Sequence, residues 1–172
     1  MKRLIKNDDI QIIYTEKQDI AFVIKAEQEQ ENAMFIGQWS YEQHLNALDD
    51  SDVLHLLVKN ITGDNVGYII MKGLNNPNDS IELMRIVITD KGLGYGKNAV
   101  SLIKKWCFEI QQAHRLWLDV REDNKKAQHV YETQGFVLEG MLRECIKVEN
   151  SYKSLIVMSV LSQDYYGFGG IQ

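Results

Sequence analysis

Ile86-Val-Ile-Thr-Asp-Lys-Gly-Leu-Gly-Tyr-Gly-Lys-Asn-Ala99 joins a short β-branched run to a helical pattern through three glycines at alternate positions, Gly92, Gly94 and Gly96. The stretch reads as a strand, a tight loop and a helix start. Glycines at this spacing admit backbone conformations closed to other residues and let the chain lie close against a ligand. Successive amides at a helix start form a nest that the helix dipole strengthens, and its natural guest is a phosphate or pyrophosphate. Two better-known phosphate loops do not fit. A Gly-x-Gly-x-x-Gly dinucleotide loop needs its third glycine three residues after the second, not two, and a Walker loop needs Ser or Thr where Asn98 follows Gly96-Lys97.

The 172 residues, 45% of them hydrophobic and 25% charged, suit one domain over 1–172 with a sizeable core. A formal net charge of -5 and a pI near 5.4 argue against a protein that holds nucleic acid through a broad basic face, and they tolerate cationic substrates. Cys107 and Cys145 are the only cysteines, and no Cys/His spacing suggests a metal site, so both are expected as reduced, buried thiols. The N-terminus turns polar after Leu4 and Ile5, without a signal-peptide core, and the longest apolar stretch, Leu155 to Met158, cannot span a bilayer. The expectation is a cytoplasmic protein with no membrane partner.

Outward from the glycine loop, the chain reads as alternating strands and helices. Ile10 to Tyr14 is a first strand, and Thr15-Glu-Lys-Gln18 has capping-box spacing for a helix running to about Gln28. Three glutamates between Glu27 and Glu31 read either as a solvated helix end or as a rim that attracts amines. Ser40-Tyr-Glu-Gln43 opens a second helix that ends near Asp49-Asp50. Between the two helices, Met34, Phe35, Ile36 and Trp39 either plug the core or wall a cleft. His44 and His55 have no partner at catalytic or metal-binding spacing and read as structural or surface residues.

Val53 to Asn60, Val66 to Gly73 and Ser80 to Thr89 form an antiparallel meander, its first turn at Thr62-Gly-Asp-Asn65. Beyond the loop, Ala99, Leu102, Ile103, Trp106 and Ile110 recur at helical spacing. Arg115 to Val120 is a buried strand, and a strand-loop-helix-strand unit makes it parallel and adjacent to the strand before the loop. Asn124 to Gln134 is a shorter helix ended by Gly135, and Phe136 to Cys145 with Tyr152 to Leu161 close the sheet as a hairpin. The tail after Leu161, with three glycines from Tyr165 to Gln172, is expected to fray. The fold expected is α/β (α+β), a mixed, mostly antiparallel sheet of about seven strands flanked by about four helices.

Asn124 and Tyr131 are seven helical residues apart, which leaves their side chains only ~20° apart around the axis. Ala127 lies between them on that face, small enough to let a ligand approach. With this second motif the chain resembles the GNAT superfamily of acetyl-CoA-dependent N-acetyltransferases. Lys91-Gly-Leu-Gly94-Tyr-Gly96 matches that family's Arg/Gln-x-x-Gly-x-Gly/Ala loop with lysine in first place. Asn124, Ala127, Tyr131, Gly135 and Phe136 match its Asn-x-x-Ala-x-x-x-Tyr-x-x-x-Gly-Phe motif. The ending Glu139-Gly-Met-Leu-Arg143-Glu144, with Tyr152 and Val157-Met-Ser-Val, is similar to the branch holding ribosomal-protein N-terminal and spermidine acetyltransferases.

The resemblance implies acetyl transfer from acetyl-CoA to a primary amine by direct attack, without a metal. The acceptor is a polyamine, a protein N-terminus or another small amine. It implies that backbone groups of Ile86, Val87 and Ile88 pair with the pantetheine arm. Amides from Gly92 through Leu93, Gly94, Tyr95 and Gly96 to Lys97 hold the pyrophosphate, Lys91 and Lys97 add charge, and Asn124 and Ala127 border the cofactor. Tyr131 is the expected general acid. Glu82, read by alternation as sharing a face with Met84 and Ile86, is the expected base. A homodimer is expected from the resemblance alone. The rival reading from another class is a non-catalytic acyl-CoA-binding sensor or interaction module, and a nucleotide-binding regulatory domain is disfavoured by the failed glycine spacings.

Overall fold

Short β-branched runs separated by polar turns dictate a sheet, and the computed structural model, which describes residues 2–168, arranges them as one eight-stranded sheet. The strands are β1 (Arg3–Lys6), β2 (Ile10–Tyr14), β3 (Val53–Asn60), β4 (Asn65–Lys72), β5 (Ser80–Ile88), β6 (Arg115–Arg121), β7 (Val137–Val148) and β8 (Ser151–Leu161). Their order is β1-β2-β3-β4-β5-β6-β8-β7, and every pairing is antiparallel except β5 with β6. The helices are α1 (Ile20–Gln28), α2 (Gln30–Ala33), α3 (Tyr41–Asp49), α4 (Tyr95–Lys105), α5 (Lys125–Thr133) and α6 (Ser162–Phe168).

The extra strand is β1, whose Leu4 and Ile5 pack against the core although the segment is too short to show a period. The two extra helices are α2, a single turn, and α6. The tail expected to fray is helical from Ser162 to Phe168, with the Tyr165 ring stacked on Phe108 at 4.9 Å and the Tyr166 hydroxyl donating to the Phe108 carbonyl. Residues 169–172 lie outside those described.

Helices cover both faces of the sheet. On one, α4, its continuation as a π-turn over Trp106–Ile110, and α5 meet Ile12, Leu56, Ile69, Leu83 and Leu118 in the larger core. On the other, Val23 and Ala26 of α1 pack on Ile13, Leu57, Tyr68, Ile70 and Val87. The Ser40 capping box forms as expected, Ser40 accepting from the Gln43 amide. The Thr15 box does not. The Thr15 hydroxyl is 2.9 Å from His55 Nδ1, and the Glu16 amide donates to Asp19 instead. Cys107 is buried, whereas Cys145 is exposed, because β7 is the last strand and its alternate residues face no helix.

Two irregularities shape the site. β5 and β6 pair only over Ser80–Glu82 with Arg115–Trp117; beyond that they splay, while β6 stays paired with β8 along its length. In β5 the register with β4 slips between Arg85 and Leu83, which leaves Met84 as the extra residue of a β-bulge. Above the bulge, close approach of the strands requires Gly67, where a Cβ would overlap the Val87 carbonyl oxygen.

Candidate functional site

The splay leaves a cleft of about 250 Å³ bordered by β5, β6, α5 and the segment between α2 and α3. A second depression of similar size, by Arg3, Lys6 and Asn60, is shallow and polar and brings no reactive groups together. The cleft does.

On β5, the Thr89 amide donates to the Val66 carbonyl at 2.9 Å, so by alternation Val87 also turns its backbone groups to β4. Ile86 and Ile88 turn theirs to the open edge above the last β6 pairing. Of the three residues expected to pair with a ligand arm, two therefore present free backbone groups, and the third is used within the sheet.

At the end of this edge the glycine loop enters α4. Gly94 is the N-cap in the left-handed region (φ 79°), and Gly92 shares that conformation (φ 82°), which explains glycine at both. A Cβ on either would meet no protein atom within 4 Å, so the space above the loop is free for a ligand. The first helical amides, Tyr95, Gly96 and Lys97, have no acceptor inside the helix, and Asn98 is the first to bond back, to the Gly94 carbonyl at 3.0 Å. This nest fits the pyrophosphate of a CoA. Exposed Leu93 and Lys97 flank it, and Lys91 Nζ pairs with Glu31 Oε2 at 2.8 Å, so its charge is partly balanced from α2.

Across the cleft, Asn124 caps α5 by accepting from the Ala127 amide at 3.2 Å, and Asn124, Ala127 and Tyr131 face the opening together. Tyr131 is only 8% exposed, with its ring 5.6 Å from Phe136. Burial first, then the charge of Asp119, pushes its phenol well above the ordinary value, so it stays protonated.

Glu82 does not share a face with Ile86. The bulge at Met84 reverses the alternation: Ile86 and Ile88 pack toward α4, while Met84, Arg85 and Val87 face the α1 side with Glu82. Glu82 is not among the residues that line the cleft, and the carboxylate that borders it is Asp119 of β6. Burial and the Asp119 charge raise Glu82, partly opposed by Lys72, its cross-strand neighbour on β4. Asp119 opens to the cleft solvent yet has protein on both sides, and desolvation raises it too.

The α2–α3 segment answers the earlier alternative with both outcomes. Phe35 and Ile36 line the cleft, Trp39 packs beneath it, and Met34 is exposed. Arg121 fixes this segment across the opening: it donates to both Asp123 oxygens, 2.9 and 2.7 Å, and to the Met34 carbonyl, and stacks on the Phe35 ring.

Sequence reasoning missed the polar group behind the wall. Glu27 is fully buried rather than solvated, and its carboxylate accepts from Tyr68, Arg85 and the Trp39 amide. His44 and His55 are buried beside it and bonded to each other at 3.0 Å. A signal existed: Glu27 is seven residues from Ile20 and four from Val23, on the buried stripe of α1. Among the described residues, no cluster of three or more His, Cys, Asp or Glu could hold a metal ion, and no helix is long and apolar enough to cross a membrane.

Comparison with known proteins gives concordant results. Residues 13–136 match the model of the acetyltransferase (GNAT) family. A spermidine N(1)-acetyltransferase of Vibrio cholerae serotype O1 is 26% identical over 126 residues, 73% of this chain and 71% of that protein. The enzyme of the same name from Escherichia coli K12 is 24% identical over 160 residues, 87% of this chain and 84% of that protein. A crystal structure of spermidine N-acetyltransferase from Vibrio cholerae in complex with CoA and spermine superposes with a TM-score of 0.84, covering 93% of this chain and 99% of that one at 22% identity.

Proposed function

The chain belongs to the acetyltransferase (GNAT) family, and from that premise we propose that it transfers the acetyl group of acetyl-CoA to a primary amine by direct attack in this cleft. The observation that carries the reading is a continuous run of groups: Ile86 and the Tyr131 phenol border one cleft, and the free edge continues from Ile86 through Ile88 into the loop whose amides form the nest at Gly94–Lys97. Bound acetyl-CoA supplies an activated acetyl thioester. The nest and Lys97 hold its pyrophosphate, Asn124 and Ala127 border its arm, and the Ile86 or Ile88 amide offers a hydrogen bond to the carbonyl oxygen as charge develops there.

Tyr131 holds a proton on its phenol oxygen for delivery to the departing sulfur. The amine arrives as an ammonium of pKa ~10.4 and must lose a proton before it attacks. Asp119 at the wall and Glu82, close enough to feel its charge, supply the carboxylates for that transfer, each raised toward the useful range. Exclusion of water falls to Phe35 and Ile36, held over the opening by Arg121.

The relatives named above support a polyamine as the acceptor class. A homodimer would cover β7, which ends the sheet with Val137, Leu138, Met141 and Leu142 exposed; a monomeric mass in solution would remove that assembly. The test of function is CoA release from acetyl-CoA against spermidine, spermine, amino sugars and short peptides. Turnover with one class supports the reading, and binding of acetyl-CoA with no turnover on any amine contradicts it.

A further inference from the structure

Glu27 of α1 is fully buried and engaged through both carboxylate oxygens. Its Oε1 accepts from the Tyr68 hydroxyl of β4 at 2.6 Å and from Arg85 Nη1 of β5 at 2.5 Å, and its Oε2 accepts from the Trp39 amide at 2.9 Å. His44 Nε2 stands 3.3 Å from Oε1, and a chain continues through His44 Nδ1 and His55 Nε2 to the Thr15 hydroxyl. Desolvation pushes His55 down to about 3, so it is neutral, and the Arg85 guanidinium pairs with the carboxylate.

A carboxylate removed from water is tolerated only when paired and bonded throughout, and an apolar residue could fill a core position without that requirement. The charge must therefore be read by what it holds. One of its partners borders the cleft, and another ends the segment that lines it. Arg85 lies at the bulge, immediately before Ile86 with its open backbone edge, and borders the cleft. Trp39 closes the segment whose Phe35, Ile36 and Gly37 line the cleft, and the Arg85 guanidinium stacks on its ring at 4.9 Å. Arg85 Nη2 lies 3.7 Å from where a Cβ on Gly37 would sit, so the same guanidinium abuts the wall itself. None of the groups bonded to Glu27 belongs to the glycine loop or to α5.

We propose that Glu27 is a positioning residue for the amine acceptor: by holding Arg85 and Trp39 it fixes the 34–39 wall against β5 and leaves the acetyl-CoA side untouched. The inference rests on the acetyltransferase reading. It assigns the buried charge on α1 to acceptor binding rather than to the fold alone.

Glu27→Gln keeps the shape and an acceptor for the Trp39 amide but removes the charge that anchors Arg85. The expected result is an acceptor KM raised by about tenfold or more, with acetyl-CoA Kd within about twofold and kcat within about threefold of wild type. Tyr68→Phe removes one bond on the side away from the cleft and should shift KM in the same direction by a smaller factor. It carries the test if Glu27→Gln does not fold. Arg85→Lys, which retains a cation, should recover part of the affinity lost in Arg85→Met. Hydrogen exchange should quicken in 34–39 and stay unchanged across α4.

Equal rises in KM and acetyl-CoA Kd, an unchanged KM, or faster exchange throughout would overturn the proposal. If wild-type protein acetylates no amine, the functional reading fails instead. The exchange comparison then still decides whether Glu27 holds the wall.

Discussion

Glu82 and Ile86 project from opposite faces of β5, although four residues of unbroken alternation would put them on one. The bulge at Met84 separates them. It places backbone chemistry and carboxylate chemistry on two sides of one strand, with Asp119 of the neighbouring strand bordering the opening between them.

Glu82 is raised by burial and by the Asp119 charge, and both carboxyls must be ionised to accept a proton. Asp119→Asn removes that negative neighbour, so ionisation of Glu82 becomes easier and its pKa falls. The acid limb of the kcat/KM profile should move to lower pH in Asp119→Asn, at a reduced plateau. Glu82→Gln should lower the plateau without that downward shift. Profiles coincident with wild type would remove both residues from the proton transfer.

Tyr131→Phe keeps the ring on Phe136 and removes only the phenol. Loss of a general acid costs typically ~10²–10⁴-fold in rate. The expected outcome is a fall of that order in kcat with acetyl-CoA affinity unchanged, measured by steady-state kinetics beside calorimetric binding. A variant as active as wild type would make Tyr131 a packing residue.

Gly67→Ala should destabilise the fold. The added methyl overlaps the Val87 carbonyl oxygen, a backbone atom that cannot swing away. Overpacking of this kind costs about 1–3 kcal/mol. Urea unfolding checks the amount, and because Val87 precedes Ile88 on the open edge, acetyl-CoA affinity should fall as well.

Burial raises the Glu27 carboxyl, but the His44, Tyr68 and Trp39 amide contacts and the Arg85 charge together bring it from 4.5 down to about 2. Its folded value lies below its unfolded one, so its contribution to stability is complete above pH 4.5 and is lost as pH falls toward 2. Urea unfolding of wild type and Glu27→Gln across that range should show the stability gap closing toward acid. A gap independent of pH would contradict the paired carboxylate.

The parts of the fold written in local pattern were legible. The strand-glycine-helix run at Ile86–Ala99, the Ser40 box and the Asn124–Tyr131 face each depend on residues within one or two turns, and each formed where expected. What failed depends on distant partners. Thr15 has the spacing of a cap, but His55, forty residues away, takes its hydroxyl. No residue type at Met84 announces a bulge, which is a mismatch between two strands. Cys145 sits in an apolar-looking run that is exposed only because β7 ends the sheet.

Glu27 is a different kind of miss. Its charge within a run of polar residues suggested solvent, while its phase on α1 already placed it inward. On α1 the helical period, not the polar composition of the run, sets its burial.

The most direct test of the central claim is single-turnover transfer from acetyl-CoA labelled in the acetyl group to spermidine, compared between wild type and Tyr131→Phe. Labelled N-acetylspermidine should form in the wild type and fall by at least about a hundredfold in the variant. Acetyl-CoA bound at the glycine loop but never transferred to spermidine or any other primary amine would contradict an acetyltransferase and leave a protein that only binds its ligand.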